Sequence, residues 1–294
     1  MKSITVFTPT YNRAYCLHQC YESLINQTNS DFLWLIIDDG STDDTRKLVS
    51  DWIDQGKVDI KYRYKKNGGM HSAHNAAYDL VETELSVCID SDDFMPADAI
   101  DKILKKWGKV TNKHEVAGII GLDSFKNGKI IGSRFPEGLN ESTLEDLYYK
   151  YKIKGDKKLV LRTEVVNQYE RYPTFEGERF VPLGTLYLQI DKAYKLICLN
   201  EVLCIVEYME DGSSRNILKQ YLRHPNGFQF ARLNAMKFYS YPKIRFKNAI
   251  HYVSHSIQLR DYSFLKKSPK KLMTLAALPF GIALYCYVKY IVKK

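Results

Sequence analysis

Short apolar runs alternate with amphipathic stretches along the first third of the chain. Ile4–Thr8, Phe32–Ile37 and Leu85–Ile89 are continuous apolar runs ended by turn residues, the pattern of strands covered on both faces. Ile60–Tyr64 alternates like a half-buried strand. Between these runs lie helical patterns at Leu17–Ile25 and Ser72–Leu80, and a third helix is predicted to open on a capping box at Ser41 and Asp44, with Leu48, Val49, Trp52 and Ile53 on one face. Strand–helix alternation of this kind predicts an α/β fold whose sheet is mostly parallel, with right-handed crossovers and helices on both sides. Beyond Asp93 the pattern loosens into a helix at Ala97–Trp107, a strand at Val116–Leu122, a hairpin arm at Gly128–Gly132 and a helix at Leu144–Tyr151. Strands follow at Lys158–Arg162 and Leu199–Val206, with a helix near Leu183–Ala193 between them. From about Asn216 the chain turns Tyr-rich, basic and helical, so the expected division is 1–215 and 216–294.

The predicted strands deliver polar clusters at their C-terminal ends. These are Thr8–Asn12, Asp38-Asp39-Gly40-Ser41 and Asp90-Ser91-Asp92-Asp93. In a parallel sheet all three reach one edge, where open α/β sheets hold their ligands. Three carboxylates within the four residues Asp90–Asp93 repel one another unless a cation or a solvated turn intervenes. A hard divalent ion held by one or two carboxylates plus substrate phosphates answers that repulsion. A helix-capping turn is the competing account.

The stretches Phe7-Thr8-Pro9-Thr10-Tyr11-Asn12-Arg13, Ile36-Ile37-Asp38-Asp39-Gly40-Ser41-Thr42-Asp43 and Asp90-Ser91-Asp92-Asp93, taken together, resemble the family 2 glycosyltransferases, over roughly residues 1 to 210. The resemblance implies a GT-A fold, Rossmann-like, and a nucleotide-sugar donor. It assigns Thr8, Pro9 and Tyr11 to the nucleoside pocket, and Asp39, with Asp38, to the base. Asp90 and Asp92 would be the DxD motif, Asp90 toward the ribose or sugar and Asp92 on Mn²⁺ or Mg²⁺, with Ser91 among the donor-binding residues and Asp93 structural. Asn67 and Gly69 form a turn whose backbone can approach a ligand, ahead of a helix start that favours phosphate, and Asn75 is placed to read base or sugar. His71 and His74 lack a further ligand at zinc spacing and are expected to pack or cap.

The resemblance also implies a catalytic carboxylate after a glycine, beside the acceptor. Phe175-Glu176-Gly177-Glu178-Arg179-Phe180 fits, with Glu178 as the expected base and Glu176 in reserve. Direct attack of the acceptor hydroxyl would invert the anomeric centre. Arg215 is a candidate cation for the diphosphate. A nucleotidyltransferase, or a non-catalytic sugar-nucleotide-binding scaffold, are the alternatives. The first would want a Gly-rich phosphate loop, where the chain has only Arg13.

Charge and composition add a location. Of a net charge of +9, the segment from Lys243 onward carries +10, with Asp261 as its single acid. Within it, 272–292 is an apolar stretch with Lys266, Lys267, Lys270 and Lys271 before it, Lys289 inside its far end, and Lys293 and Lys294 after it. Pro279 and Gly281 interrupt it, and Tyr285, Tyr287 and Tyr290 crowd its far end. Lysines and aromatic residues around a borderline apolar span predict contact with a membrane, peripheral or monotopic. The expected setting is the cytoplasmic face, with a lipid-linked or polymeric glycan as acceptor, no nucleic-acid partner, and self-association left open. Met1-Lys2-Ser3 leads straight into a strand pattern, too short for a signal core. The six cysteines contain no Cys-x-x-Cys pair, which suits a reducing compartment.

Overall fold

The computed structural model describes residues 2–207 and 217–293. They form two compact units. The first comprises 1–67, 73–170 and 193–209, and the second 68–72, 171–192 and 210–294. The chain beyond 216 lies in the second unit. Two earlier segments join it, however, because the chain returns to the first unit at Ala193 before leaving it again.

The first unit opens with β1 (Ile4–Thr10), α1 (Leu17–Ile25), β2 (Phe32–Asp38), α2 (Thr45–Gln55), β3 (Ile60–Tyr64), α3 (Met70–Leu80, of which 70–72 fall in the second unit), β4 (Leu85–Cys88) and α4 (Ala99–Gly108). It continues with β5 (Val116–Ser124), β6 (Glu141–Ser142), α5 (Leu144–Tyr149), β7 (Lys157–Arg162), α6 (Thr163–Val166) and, after a segment of the second unit, β8 (Lys195–Ile205). The eight strands make one sheet in the order β3-β2-β1-β4-β7-β5-β8-β6. The first four are parallel, and so are β5 and β8. Strand β7 runs antiparallel between β4 and β5, and the two-residue β6 runs antiparallel to β8. Every residue of β1 and of β5 is buried, as the continuous apolar runs require of strands covered on both faces.

On one face Tyr21 stacks on Trp52 at 4.3 Å, nearly coplanar at 7°, and Trp52 stacks on Trp34 at 5.8 Å. On the other, Phe7 meets His74 and Tyr78 edge-on at 5.2 and 5.6 Å. Such rings bury large areas with defined geometry, and they clamp α1, α2 and α3 onto the sheet. The capping box expected at Ser41 does not form. Helix α2 starts at Thr45, and the Ser41 hydroxyl instead accepts from the Asn12 amide at 2.9 Å. The expected arm at Gly128–Gly132 returns antiparallel along the end of β5, with a bridge between Ser124 and Ile130 and the Ile131 amide donating to the Asp123 carbonyl at 2.9 Å.

The second unit holds α7 (Gly184–Ile190), α8 (Ile217–Arg223), α9 (Pro225–Phe238), α10 (Pro242–Gln258), α11 (Phe264–Lys267) and α12 (Lys271–Lys293). Prolines open α9 and α10, where a missing N–H costs nothing. Met236, Ala249, Tyr252, Val253 and Ala277 form the core between α9, α10 and α12. Among the described residues, one helix, across Lys271–Ile291, is long and apolar enough to cross a membrane.

Candidate active site

Strand register pairs Thr10 with Asp38 and Phe7 with Cys88, so the segments after β1, β2 and β4 all leave from one edge of the sheet. The first two are tied together by their own motif residues. Asn12 adopts a left-handed φ of 53°, a conformation asparagine tolerates better than most residues. There its Oδ1 accepts from the Thr42 amide at 2.8 Å, and Asp43 Oδ2 accepts from the Ala14 amide at 3.1 Å. Asn12, Ser41, Thr42 and Asp43 are therefore the frame of the site.

Asp38 belongs to the same frame. It is fully buried, and its two oxygens accept from the Ser41 amide at 2.7 Å and the Tyr62 hydroxyl at 2.6 Å. Burial, then the Asp38 carboxylate, push the Tyr62 phenol far up, so it stays a donor. Asp39 follows the strand and pairs with Lys65 Nζ at 2.5 Å. Thr8, expected to line the nucleoside pocket, is buried in the core, where its hydroxyl accepts from Trp34 Nε1 at 2.9 Å. Pro9 is buried as well, whereas Tyr11 is exposed.

At the end of β4, Asp90 and Asp92 are half-buried and Ser91 is buried, its carbonyl accepting from Cys16 Sγ at 3.6 Å. Asp93 faces inward. Its carboxylate accepts from the Glu207 amide at 3.2 Å and from Cys204 Sγ at 3.6 Å. Burial pushes the Asp93 carboxyl up to about 7, Lys158 opposing and Asp90 and Asp92 adding repulsion. Lys158 carries no signal in the sequence motifs, yet it is the cation of this cluster. It pairs across from Gly121 on β5, and continuing the β4–β7 register from Val87–Val160 brings it opposite Ile89, just before Asp90. Burial works against its charge, but Cys204 and the carboxylates of Asp123, Asp93 and Asp90 hold it well above the usual lysine value. Asp123, near the end of β5, is a further buried acid, raised by burial. Among the described residues no three His, Cys, Asp or Glu side chains gather into a metal cage. Two half-buried carboxylates with hard oxygen donors match a cation completed by phosphate oxygens rather than one enclosed by protein.

Asn67 and Asn75 are half-buried in the first unit. Helix α3 begins at Met70, two residues before the expected start. His71 and His74 are buried, and His74 packs edge-on to Phe7. Gly69 lies in the second unit at a left-handed φ of 88°, where a Cβ would collide with the Arg179 carbonyl oxygen. Its lack of a side chain serves packing of backbone on backbone.

Glu176 and Glu178 also belong to the second unit. Glu178 Oε1 accepts from the amide and the side-chain Nδ2 of Asn226, at 2.9 and 2.7 Å, and Oε2 accepts from the Gly227 amide at 2.9 Å. It caps the start of α9 from a distance, satisfying amides that a helix N-terminus leaves without partners. Glu176 precedes the turn at Gly177 and is exposed. Arg215 lies outside the described residues.

A family model described as glycosyl transferase family 2 matches residues 5–169. Chondroitin synthase of Escherichia coli is 34% identical over 106 residues, 36% of this chain and 15% of that protein. The teichoic acid poly(glycerol phosphate) polymerase of Staphylococcus epidermidis is 32% identical over 108 residues, again 36% of this chain and 15% of that one. The chain thus covers only a small part of these longer relatives. Among solved structures, S. aureus TarS 1–349 superposes with a TM-score of 0.64 at 15% identity, over 100% of this chain and 91% of that one. A mannosyltransferase from Pyrobaculum calidifontis, in complex with GDP-Man and Mn²⁺, gives 0.56 at 17% identity, over 98% and 82%. At such identities the superpositions speak for the fold, the GT-A architecture.

Proposed function

Because the chain belongs to glycosyl transferase family 2, we propose that it moves a sugar from a nucleoside-diphosphate sugar, a UDP-sugar, to a hydroxyl of a lipid-linked or cell-envelope glycan at the cytoplasmic face of a membrane. The observation that carries this reading is the convergence of the β1, β2 and β4 ends, which puts Tyr11, Asp39 and the Asp90–Asp92 pair on one sheet edge. The envelope acceptor is supported by the chondroitin synthase and teichoic acid polymerase relatives. The uridine donor is supported by a TarS structure in complex with UDP-GlcNAc, similar in fold at a TM-score of 0.60.

In this reading Tyr11 flanks the nucleoside. Asp39 accepts from the base once Lys65 yields its ion pair. Asn67 and Asn75 line the donor side. Asp90 and Asp92 would hold Mn²⁺ or Mg²⁺, which when bound would supply positive charge against the departing diphosphate. Lys158 steadies the same carboxylates from behind. The acceptor hydroxyl needs a base as it attacks the anomeric carbon. Glu176 is the better choice, since Glu178 is engaged with α9. A single displacement of this kind gives inversion.

A melting panel tests the reading. Donor that binds the native state raises the apparent Tm. UDP-GlcNAc and other UDP-sugars with Mn²⁺ are expected to raise it by several degrees, and Asp92→Asn is expected to abolish the metal-dependent part. If no nucleotide sugar moved the Tm with either metal, the donor assignment would fail. An Asp92→Asn protein with an unchanged shift would take the metal away from this turn.

A further inference from the structure

Helix α12 has one covered stripe and one bare one. Thr274, Ala277, Gly281 and Val288 are buried, at spacings that keep them on one helical face. A Cβ at Gly281 would overlap Val253 and crowd the Ile250 carbonyl, so α12 lies tight against α10. Thr274 Oγ1 shares a 2.7 Å hydrogen bond with Ser268 Oγ and approaches Met236 of α9, and Phe280 meets Phe246 of α10 edge-on at 6.0 Å. The opposite surface exposes Leu272, Leu275, Phe280, Ile282, Tyr287 and Tyr290, with Leu272 at 84%. A helix on the outside of a water-soluble unit carries polar residues on that face. This one carries leucine, isoleucine and aromatic rings instead. An apolar patch of that size marks an interaction surface.

Its surroundings name the partner. Lys266, Lys267 and Lys270 stand before the helix, Lys271 opens it and Lys289 lies near its end, and from Lys243 onward Asp261 is the single acid. Lysines beside an apolar face with interfacial tyrosines match an anionic phospholipid surface rather than another protein's polar rim. Crossing the bilayer would require α12 to leave α10 or to take α10 with it. The first strips the contacts at Ala277 and Gly281. The second puts Lys243, Lys247, Asn248 and His255 at membrane depth, where polar and charged groups are costly.

We propose that the bare face of α12 docks onto an anionic phospholipid surface with the helix lying in the membrane plane, still attached to α10. The proposal deepens the location given under Proposed function and rests on it.

Three readouts test it on the full chain. Phosphatidylglycerol-containing vesicles are expected to bind at least tenfold more protein than pure phosphatidylcholine vesicles, with binding falling as salt rises. Phe280→Ser with Ile282→Ser is expected to abolish that binding while the circular dichroism and the donor-induced Tm shift persist. In inside-out membrane vesicles from expressing cells, Lys294→Cys (with Cys286→Ser) is expected to react with a membrane-impermeant maleimide before detergent is added. Protection until lysis would mean that α12 spans and would overturn the in-plane docking. Failure to bind vesicles would overturn the surface itself. The donor-induced Tm shift is independent of both, so loss of lipid binding with that shift intact leaves the transferase reading standing.

Discussion

A carboxylate that holds the start of a helix has its oxygens committed. Glu178 accepts three hydrogen bonds from Asn226 and Gly227, while Glu176, two residues earlier, is exposed. Glu178→Gln is expected to lower stability by about 1–2 kcal/mol through the lost cap, read from denaturant midpoints. Glu176→Gln is expected to cut transfer by about 100-fold or more with donor affinity unchanged. The opposite pattern, with Glu178→Gln inactive and fully stable, would return the base to Glu178. At this scale the motifs were legible and the division of labour within them was not. Asp38 and Asp39 are adjacent and both buried, but successive residues of extended chain point to opposite sides, so one accepts from Ser41 and Tyr62 while its neighbour meets Lys65. Thr8 went to the core for the same reason, toward Trp34. Lys158 was invisible because Asp90, Asp93 and Asp123 reach it only through strand pairing distant in sequence.

Local periodicity foretold the parallel half of the sheet and the helices that cover it. It could not foretell that β7 inserts antiparallel between β4 and β5, since strand order is decided by tertiary pairing. One glycine records how tightly that insertion fits. Gly118 sits at a register shift in β5 with φ of 143°, where a Cβ would collide with the Val160 carbonyl of β7. The apolar run Val116–Leu122 gave no hint of this, although an isolated glycine in a strand often marks a bulge. Gly118→Ala is expected to cost about 3 kcal/mol or more, the sum of strained backbone and the steric collision, again read from denaturant midpoints. A loss below about 1 kcal/mol would show that β5 and β7 can separate there freely.

The whole molecule joins a sheet unit to a second unit with buried imidazoles. His255 lies against Tyr221 at 3.8 Å and stacks on Phe228 at 5.4 Å. Burial, then Arg232 and His251, depress it to about 2, and burial, then Arg232 and Lys247, depress His251 to about 4. Both stay neutral in the fold, whereas in the unfolded chain they take protons below pH 6.5. Their contribution is therefore whole above that pH and is lost as pH falls toward the folded values. Each imidazole is expected to cost about 2 kcal/mol by pH 5. His255→Phe, which keeps the ring stack, is expected to flatten the fall in Tm between pH 7 and pH 5. A fall as steep as in the unaltered protein would exclude His255 as its source. The basic, helical character of this region was legible from charge and pattern. That 171–192 falls in the same unit was not, because β8 returns the chain to the sheet between these pieces.

The ring stack on the sheet has a spectroscopic consequence. Trp34, Trp52 and Trp107 are the three tryptophans of the chain, and all lie in the first unit's core. Indole emission therefore reports the first unit's sheet alone. Acid loosening of the helical unit will leave that emission unchanged and appear only in the far-ultraviolet helix signal, so a gap between the two transitions measures how independently the halves unfold.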